Sequence, residues 1–239
     1  MKRACFFIAV MLLLGVVAAS AQSVEQVMNN YMAAVSGGQG FEKINSMKMV
    51  MTGEMGAMGG QMGGMMEGRQ MNYTMYMLKP NKFRMEMKVG PMNMTMGNDG
   101  SVSWMSMMGR TRELPNSDNP GFENMMAIYN GNIVEAFDSS EYAGAESFDG
   151  EQCHAINVQQ EGQSSTLYFS MGSGLLMGMK SKTEQGEMMM RIGDYRDVQG
   201  YKVPHNYSMS MNGDNVMNMI IEEMVINPPV DASMFAKPN

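Results

Sequence analysis

From Ser46 onward the apolar residues fall at every second position, and this period of two limits the fold more than any other feature of the chain. Met47, Met49 and Met51 alternate with polar or smaller neighbours, and Met71, Tyr73, Met75 and Met77 alternate with Gln70, Asn72, Thr74 and Tyr76. The cleanest run spans 82–89, where Phe83, Met85, Met87 and Val89 are separated by Arg84, Glu86 and Lys88. Successive side chains on a strand point to opposite faces, so each run buries one face and wets the other, as antiparallel sheet does. Met92, Met94 and Met96 continue the pattern, followed by the turn Asn98-Asp99-Gly100 and a strand through Val102 and Trp104. Further strands are predicted over 153–159, 165–170, 175–183, 187–195, 203–211 and 216–226, the last two joined across Asn212-Gly213-Asp214, a hairpin signal.

A helix precedes the strands. Ser23 with Gln26 three residues on is a capping-box pattern, and Val24, Val27, Met28, Tyr31, Met32 and Val35 form one amphipathic face before Gly37 and Gly38 stop it. Residues 115–149 break the rhythm: Pro115 to Gly121 read as a loop, and 122–137 as one or two short helices. With no linker visible, residues 22–239 read as a single domain, mainly β, with a few helices packed on one face of a long antiparallel sheet.

Residues 1–21 read as a signal peptide: Lys2 and Arg3, the apolar run from Ala4 to Ala18, then Ala19-Ser20-Ala21 as a cleavage site. Cleavage leaves Gln22 first, not the Cys a lipid anchor needs, so the expected state is free in a bacterial periplasm. The net charge of −7 then becomes −9, and without a basic block this excludes nucleic acid as a partner. Cys5 leaves with the signal, so Cys153 stands alone, and no second apolar run is long enough to span a bilayer.

Catalytic chemistry finds no foothold. Cys153 and His154 are neighbours on a strand and so diverge, as do Glu222 and Glu223. Gly172-Ser173-Gly174 lacks the nucleophile-elbow spacing, and Gly38-Gln39-Gly40 fits neither dinucleotide nor phosphate-loop spacing. Two histidines and one thiol make no zinc site. The sequence therefore reads as a non-enzyme without cofactors.

Methionine is the anomaly: 37 in all and 35 after residue 21, against 5 Leu, 8 Ile and 13 Val. Three readings stay open. Met can replace Leu as the core hydrophobe, giving an adaptable lining. The Gly-Met stretch 55–66, with Met55, Met58, Met62, Met65 and Met66, can capture Cu(I) or Ag(I) through thioethers. Adjacent groups such as Met107-Met108 and Met188-Met189-Met190 place some sulfurs on the polar face, where reversible oxidation is open to them.

Several short stretches resemble the periplasmic outer-membrane lipoprotein-sorting (LolA/LolB-like) family. They are the opening helix into Ser36-Gly37-Gly38 and Phe41-Glu42-Lys43-Ile44; Lys79-Pro80-Asn81-Lys82-Phe83-Arg84; and Asp99-Gly100 with Trp104. Asp194-Tyr195-Arg196-Asp197-Val198-Gln199-Gly200 with Pro204, and Ile226-Asn227 with Val230-Asp231, Phe235 and Pro238, extend the likeness over nearly all of the chain after residue 21. The resemblance implies a curved antiparallel sheet, an incomplete barrel with helices at 23–35 and 122–137 covering its concave face. It implies a lipid or lipoprotein acyl chain as ligand, passed between membrane-bound donor and acceptor proteins. The expected lining is Met47, Met49, Met51, Met75, Met77, Met85, Met87, Met94, Met96, Met209, Met211, Met217 and Met219, with Trp104 on the same sheet.

Overall fold

The computed structural model describes residues 22–56, 68–115 and 133–238. The expected signal segment 1–21, most of the Gly-Met stretch 55–66 and most of the predicted helical segment 122–137 lie outside the described residues.

Helix α1, Val24–Ser36, starts as its sequence dictates. Gln26 N–H donates to Ser23 Oγ at 3.2 Å, and Ser23 N–H donates to Gln26 Oε1 at 3.1 Å. It ends at Gly37, whose φ of 57° is left-handed and whose absent Cβ would lie 2.6 Å from the Gly200 carbonyl oxygen. The helix end is thereby seated on the turn at Gln199-Gly200, and Gln39 Nε2 donates to Gln199 O at 3.2 Å. A 3-10 turn, Phe41–Lys43, leads into the sheet, and Tyr201 Oη donates to Gly40 O at 2.8 Å.

The first six strands are β1 (Ser46–Met55), β2 (Gln70–Leu78), β3 (Lys82–Val89), β4 (Met92–Asn98), β5 (Ser103–Met107) and β6 (Arg110–Leu114). After the 3-10 turn Ile133–Ala136 come β7 (Ser139–Phe148), β8 (Glu151–Gln160), β9 (Gln163–Ser170) and β10 (Leu176–Thr183). The series closes with β11 (Gly186–Val198), β12 (Tyr201–Met211), β13 (Asp214–Ile226) and the 3-10 turn Ala232–Phe235. All belong to one 13-stranded antiparallel sheet in the order β6-β5-β4-β3-β2-β1-β13-β12-β11-β10-β9-β8-β7. Every strand pairs with its sequence neighbour except at two places. β1 pairs with β13, joining the ends of the chain, and β6 and β7 form the two edges, with no further strand partner among the described residues. The result is an incomplete barrel.

The edges correct the sequence reading. Residues 139–148, read as part of a break in the rhythm, form β7, and 110–114 form β6. In β7 only Tyr142, Gly144 and Phe148 are withdrawn from solvent, and β6 reads Arg-Thr-Arg-Glu-Leu. Edge strands are kept polar because an apolar edge recruits foreign strands, and that polarity erases the period-two signal. Of the helices expected at 122–137, the described part is the single 3-10 turn Ile133–Ala136.

Opposed residues of an antiparallel pair share a face, so the register sorts the side chains. The concave face carries two continuous cores. One joins Met47, Met49, Met51, Met75 and Met77 to Phe83, Ile221 and Ile226. In the other, Val27, Met28, Tyr31 and Val35 of α1 pack on Ile156, Val158, Leu167 and Phe169, with Tyr31 edge-on to Phe169 at 5.4 Å.

The convex face is covered in two patches. Phe148 stacks on Tyr168 at 4.6 Å over buried Cys153. Around Trp104, Arg84 Nη1 donates to Met234 O at 2.8 Å and Lys237 pairs with Glu113 at 2.6 Å. Gly97 is required there, because a Cβ would lie 2.5 Å from the Trp104 ring.

Candidate functional site

Between α1 and the concave face lies a cavity of about 590 Å³, in the range of small-molecule sites. Tyr31 and Val35 of α1 form its roof, and Leu167, Met179, Met188, Met190, Ile192 and Tyr207 are among its floor residues. Met47, Met224 and Ile226 extend it toward β1. These positions recur two apart on β10, β11 and β12, so strand alternation alone puts them on one face.

One end is polar but carries few charges. Gln160, Gln163, Ser165, Ser181 and Thr183 line it, with Glu161 and Lys202 the charged residues among the whole lining. The Ser165 and Ser181 hydroxyls bond each other at 2.7 Å. Gln160 Oε1 is buried and has no hydrogen-bond partner among the described residues. A buried acceptor without a donor costs about 1–3 kcal/mol, so any N–H or O–H brought to this oxygen is favoured.

Four tyrosines line the cavity, Tyr31 on α1, Tyr195 on β11, and Tyr201 and Tyr207 on β12, and three of them, Tyr31, Tyr195 and Tyr207, lie close enough to feel one another's charge. Burial pushes the Tyr31 phenol up to about 12 and raises those of Tyr195 and Tyr207, where an ionised Tyr195 would also face Tyr31 and Tyr207, and an ionised Tyr207 would face Tyr31. Tyr195 Oη donates to Leu176 O at 2.7 Å, fixing its ring. All three remain neutral at ordinary pH, so beneath α1 the cavity presents uncharged phenols.

Of the residues expected to line the groove, Met47 reaches the cavity. Met49, Met51, Met75 and Met77 lie in the adjoining core, with Met85 and Met219 packed against it. Met209 and Met217 continue a row that runs Met55, Met217, Met209, Met190 and Met179 across β1, β13, β12, β11 and β10. Met211 opposes cavity residue Met188. Met87, Met94 and Met96 lie half-buried at the far end of the same face, on β3 and β4.

Trp104 is on the other face. It opposes Gly97 while its neighbours Met105 and Met107 oppose Met96 and Met94. It is fully buried beneath the C-terminal turn, not beside a ligand. Two further readings change. Glu222 and Glu223 do not diverge, because a bulge lies where Val50 opposes Glu223 and Met51 opposes Ile221. Both carboxylates therefore serve the wet face, Glu222 accepting from Thr52 at 2.8 Å and Glu223 pairing with Lys48 at 3.2 Å. Met189, between cavity residues Met188 and Met190, packs against the small convex core at Phe148 and so does not lack a packing role.

Sequence reasoning missed Met179, Met188, Met190 and Met224 as lining, together with the tyrosines and Gln160. The alternation of Met188 with Met190 was a usable signal, and Tyr31 lay on the predicted helix face. Nothing local marked Gln160.

Cys153 is buried on the convex side, and burial raises its thiol above the usual range. His154 Nδ1 lies 3.1 Å from Tyr142 Oη, and His205 Nδ1 lies 2.8 Å from Val203 O. None of the three lines the cavity. Among the described residues no three His, Cys, Asp or Glu side chains converge to hold a metal, and no helix is long and apolar enough to cross a membrane.

The class is thus an open antiparallel barrel whose concave face, roofed by a helix, encloses an apolar cavity. The chain shares this fold with the LolA superfamily and outer membrane lipoprotein-sorting domains. An outer membrane lipoprotein-sorting protein domain from Vibrio parahaemolyticus superposes with a TM-score of 0.60 at 8% identity, covering 88% of this chain and 93% of that one. A LolA superfamily protein from Nitrosomonas europaea gives 0.59 at 11% identity over 91% and 99%. A DUF1329 family protein from Desulfovibrio piger gives 0.58 at 9% identity over 88% and 97%. No protein-family model and no curated protein matches the sequence.

Proposed function

We propose that this protein is a soluble periplasmic carrier, a single domain over residues 22–239, holding a lipid or a lipoprotein acyl chain between α1 and the concave face. The carrying observation is the cavity of about 590 Å³, lined mainly by apolar side chains and by Gln160, Ser165 and Ser181 toward one end. That pattern suits an amphiphile whose head is neutral and hydrogen-bonding, such as an amide or a hydroxyl. Methionine fits the task because its unbranched thioether re-shapes around chains of different length. The fold shared with lipoprotein-sorting domains supports the reading, which is one of binding without catalysis. Membrane-bound donor and acceptor proteins would load and empty the site.

The test is direct. Protein taken from its own periplasm is examined by native mass spectrometry, and a fluorescent long-chain fatty acid is titrated into delipidated protein. Leu167→Trp and Ile192→Trp, which fill the floor, are expected to weaken the probe by about tenfold or more, equal to about 1.4 kcal/mol. A protein that carries no lipid and binds the probe no better than the filled variants is not this carrier.

A further inference from the structure

The register places six methionines, one from each of six adjacent strands, in a single row: Met105, Met96, Met85, Met75, Met49 and Met224. The row beside it runs Met107, Met94 and Met87 before it reaches Tyr73 and Met51. Toward β1 these rows are core, with Met49, Met51 and Met75 buried. Toward β5 they emerge. Met85, Met87, Met94 and Met96 are half-buried, and Met107 at the end of its row is 48% exposed.

Packing does not ask for sulfur at such positions. Leucine has nearly the volume of methionine, and the exchange costs little in a core; on a half-buried strand face, β-branched residues fit better than either. What the quartet has that leucine would lack is four neutral, polarizable donors on two paired strands. Met85 opposes Met96, and Met87 opposes Met94. Opposed Cβ atoms lie about 4.5–5.5 Å apart and diagonal residues about 7–8 Å. Sulfurs sharing one ion at roughly 2.3 Å, the zinc–thiolate distance, would sit about 4 Å from one another. Three rotatable bonds per side chain close that gap without moving the backbone.

We propose that Met85, Met87, Met94 and Met96 form a site for a soft monovalent cation of the Cu(I) or Ag(I) class, held by thioether sulfur alone. Soft thioether donors select such ions over Mg²⁺ and Ca²⁺, which need oxygen. The charged and titratable residues along these two rows are Tyr73 on β2 and Arg110 and Arg112 on β6. Burial raises the Tyr73 phenol, keeping it neutral. β5 lies between β4 and the two arginines, putting β6 about 10 Å from the nearer ligands, roughly one Debye length at 0.1 M salt. The site does not involve the cavity, and its four ligands are other residues than those of the Gly-Met stretch 55–66.

Thioethers carry no proton, so binding here releases none, whereas Cys and His ligands must first be deprotonated. The full chain after residue 21 is titrated anaerobically with Ag(I), and with Cu(I) against a chromophoric competitor, from pH 5 to 8 (roughly the histidine range). The expected result is binding whose affinity does not change across that range. The variant Met85→Leu/Met87→Leu/Met94→Leu/Met96→Leu keeps volume and fold, checked by circular dichroism and by unchanged fatty-acid binding. It is expected to lose at least the ~10–100-fold that a lost supporting partner costs a metal site. Met28→Leu/Met77→Leu, a buried pair, is expected to leave metal binding as it was. Absence of Ag(I) binding, an affinity that falls with pH, or full affinity in the quadruple variant would each overturn the site. Fatty-acid binding reads the carrier function independently, so the two proposals can fail separately.

Discussion

The indole nitrogen of Trp104 donates a 3.0 Å hydrogen bond to the carbonyl oxygen of Phe235, 131 residues further along the chain. Both side chains are fully buried, and they close the convex face where the Arg84 guanidinium lies 5.8 Å above the indole. Phe235→Ala is expected to cost about 3–5 kcal/mol in urea unfolding, and Trp104→Phe about 1 kcal/mol for the lost bond. Because Trp104 is the sole tryptophan and faces away from the cavity, its emission should stay fixed when a fatty acid binds. A ligand-induced shift would place the ligand elsewhere.

Gln160→Leu separates the polar end of the cavity from its walls. Removing an acceptor that has no donor among the described residues should leave stability unchanged or raise it by about 1 kcal/mol. Affinity for a long-chain amide or hydroxyl amphiphile should fall about tenfold relative to an alkane of the same length. Equal losses for both ligands would show that Gln160 only shapes the wall.

Alkaline pH should unfold the protein over a defined window. Burial holds Tyr31 at about 12, and Tyr195 and Tyr207 are raised too, while an unfolded phenol titrates at its ordinary 10.0. The folded state therefore keeps protons that the unfolded state releases. The stability is intact below pH 10.0 and is lost as pH rises toward 12, by about 1.4 kcal/mol per pH unit for each such phenol. Tyrosinate absorbance of the buried groups should appear together with the loss of sheet circular dichroism. A tyrosinate signal that rises while the sheet persists would show these phenols to be exposed.

The edge strand β6 should keep the molecule monomeric. Arg110→Thr with Arg112→Val removes two exposed charges from an edge of the sheet. Light scattering is expected to detect self-association in the variant, and a variant that stays monodisperse would show that the edge is guarded in another way.

Oxidation should follow burial. With dilute hydrogen peroxide, Met108 at 80% exposure, then Met107, Met171 and Met92, should gain oxygen first among the methionines of the described residues. Met49, Met71 and Met77, nearly inaccessible, should be last. Peptide mass spectrometry over time gives the order, and early oxidation of Met49 would mean that the sheet opens readily.

The same molecule shows how far local pattern carries. Strand 82–89 was legible residue by residue because each of its four apolar positions faces a neighbour that is also apolar. The helix start was legible because Ser23 and Gln26 cap it through bonds three residues apart. Even Trp104 was open to a stricter reading, since it falls out of step with Met105 and Met107. The strands at 110–114 and 139–148 were hidden, because an edge needs polarity and polarity removes the alternation. Glu222 and Glu223 were misplaced because a bulge depends on the partner strand, and β1 meets β13 only after most of the chain has been laid down.

By itself the sequence determined which residues share a face within each strand, where the first helix begins, and that methionine would take the place of leucine. Those are properties of one turn or one strand, set by steric alternation and by hydrogen bonds over a few residues. Which methionines line a cavity, which fill a core and which emerge half-buried was decided by the tertiary structure alone. α1 roofs β8 to β12 but not β3 to β5, and that coverage comes from packing between elements far apart in the chain. The long run of methionines thereby becomes three environments on one face: a lining at Met179, Met188 and Met190, a core at Met49, Met51 and Met75, and a half-buried quartet at Met85, Met87, Met94 and Met96.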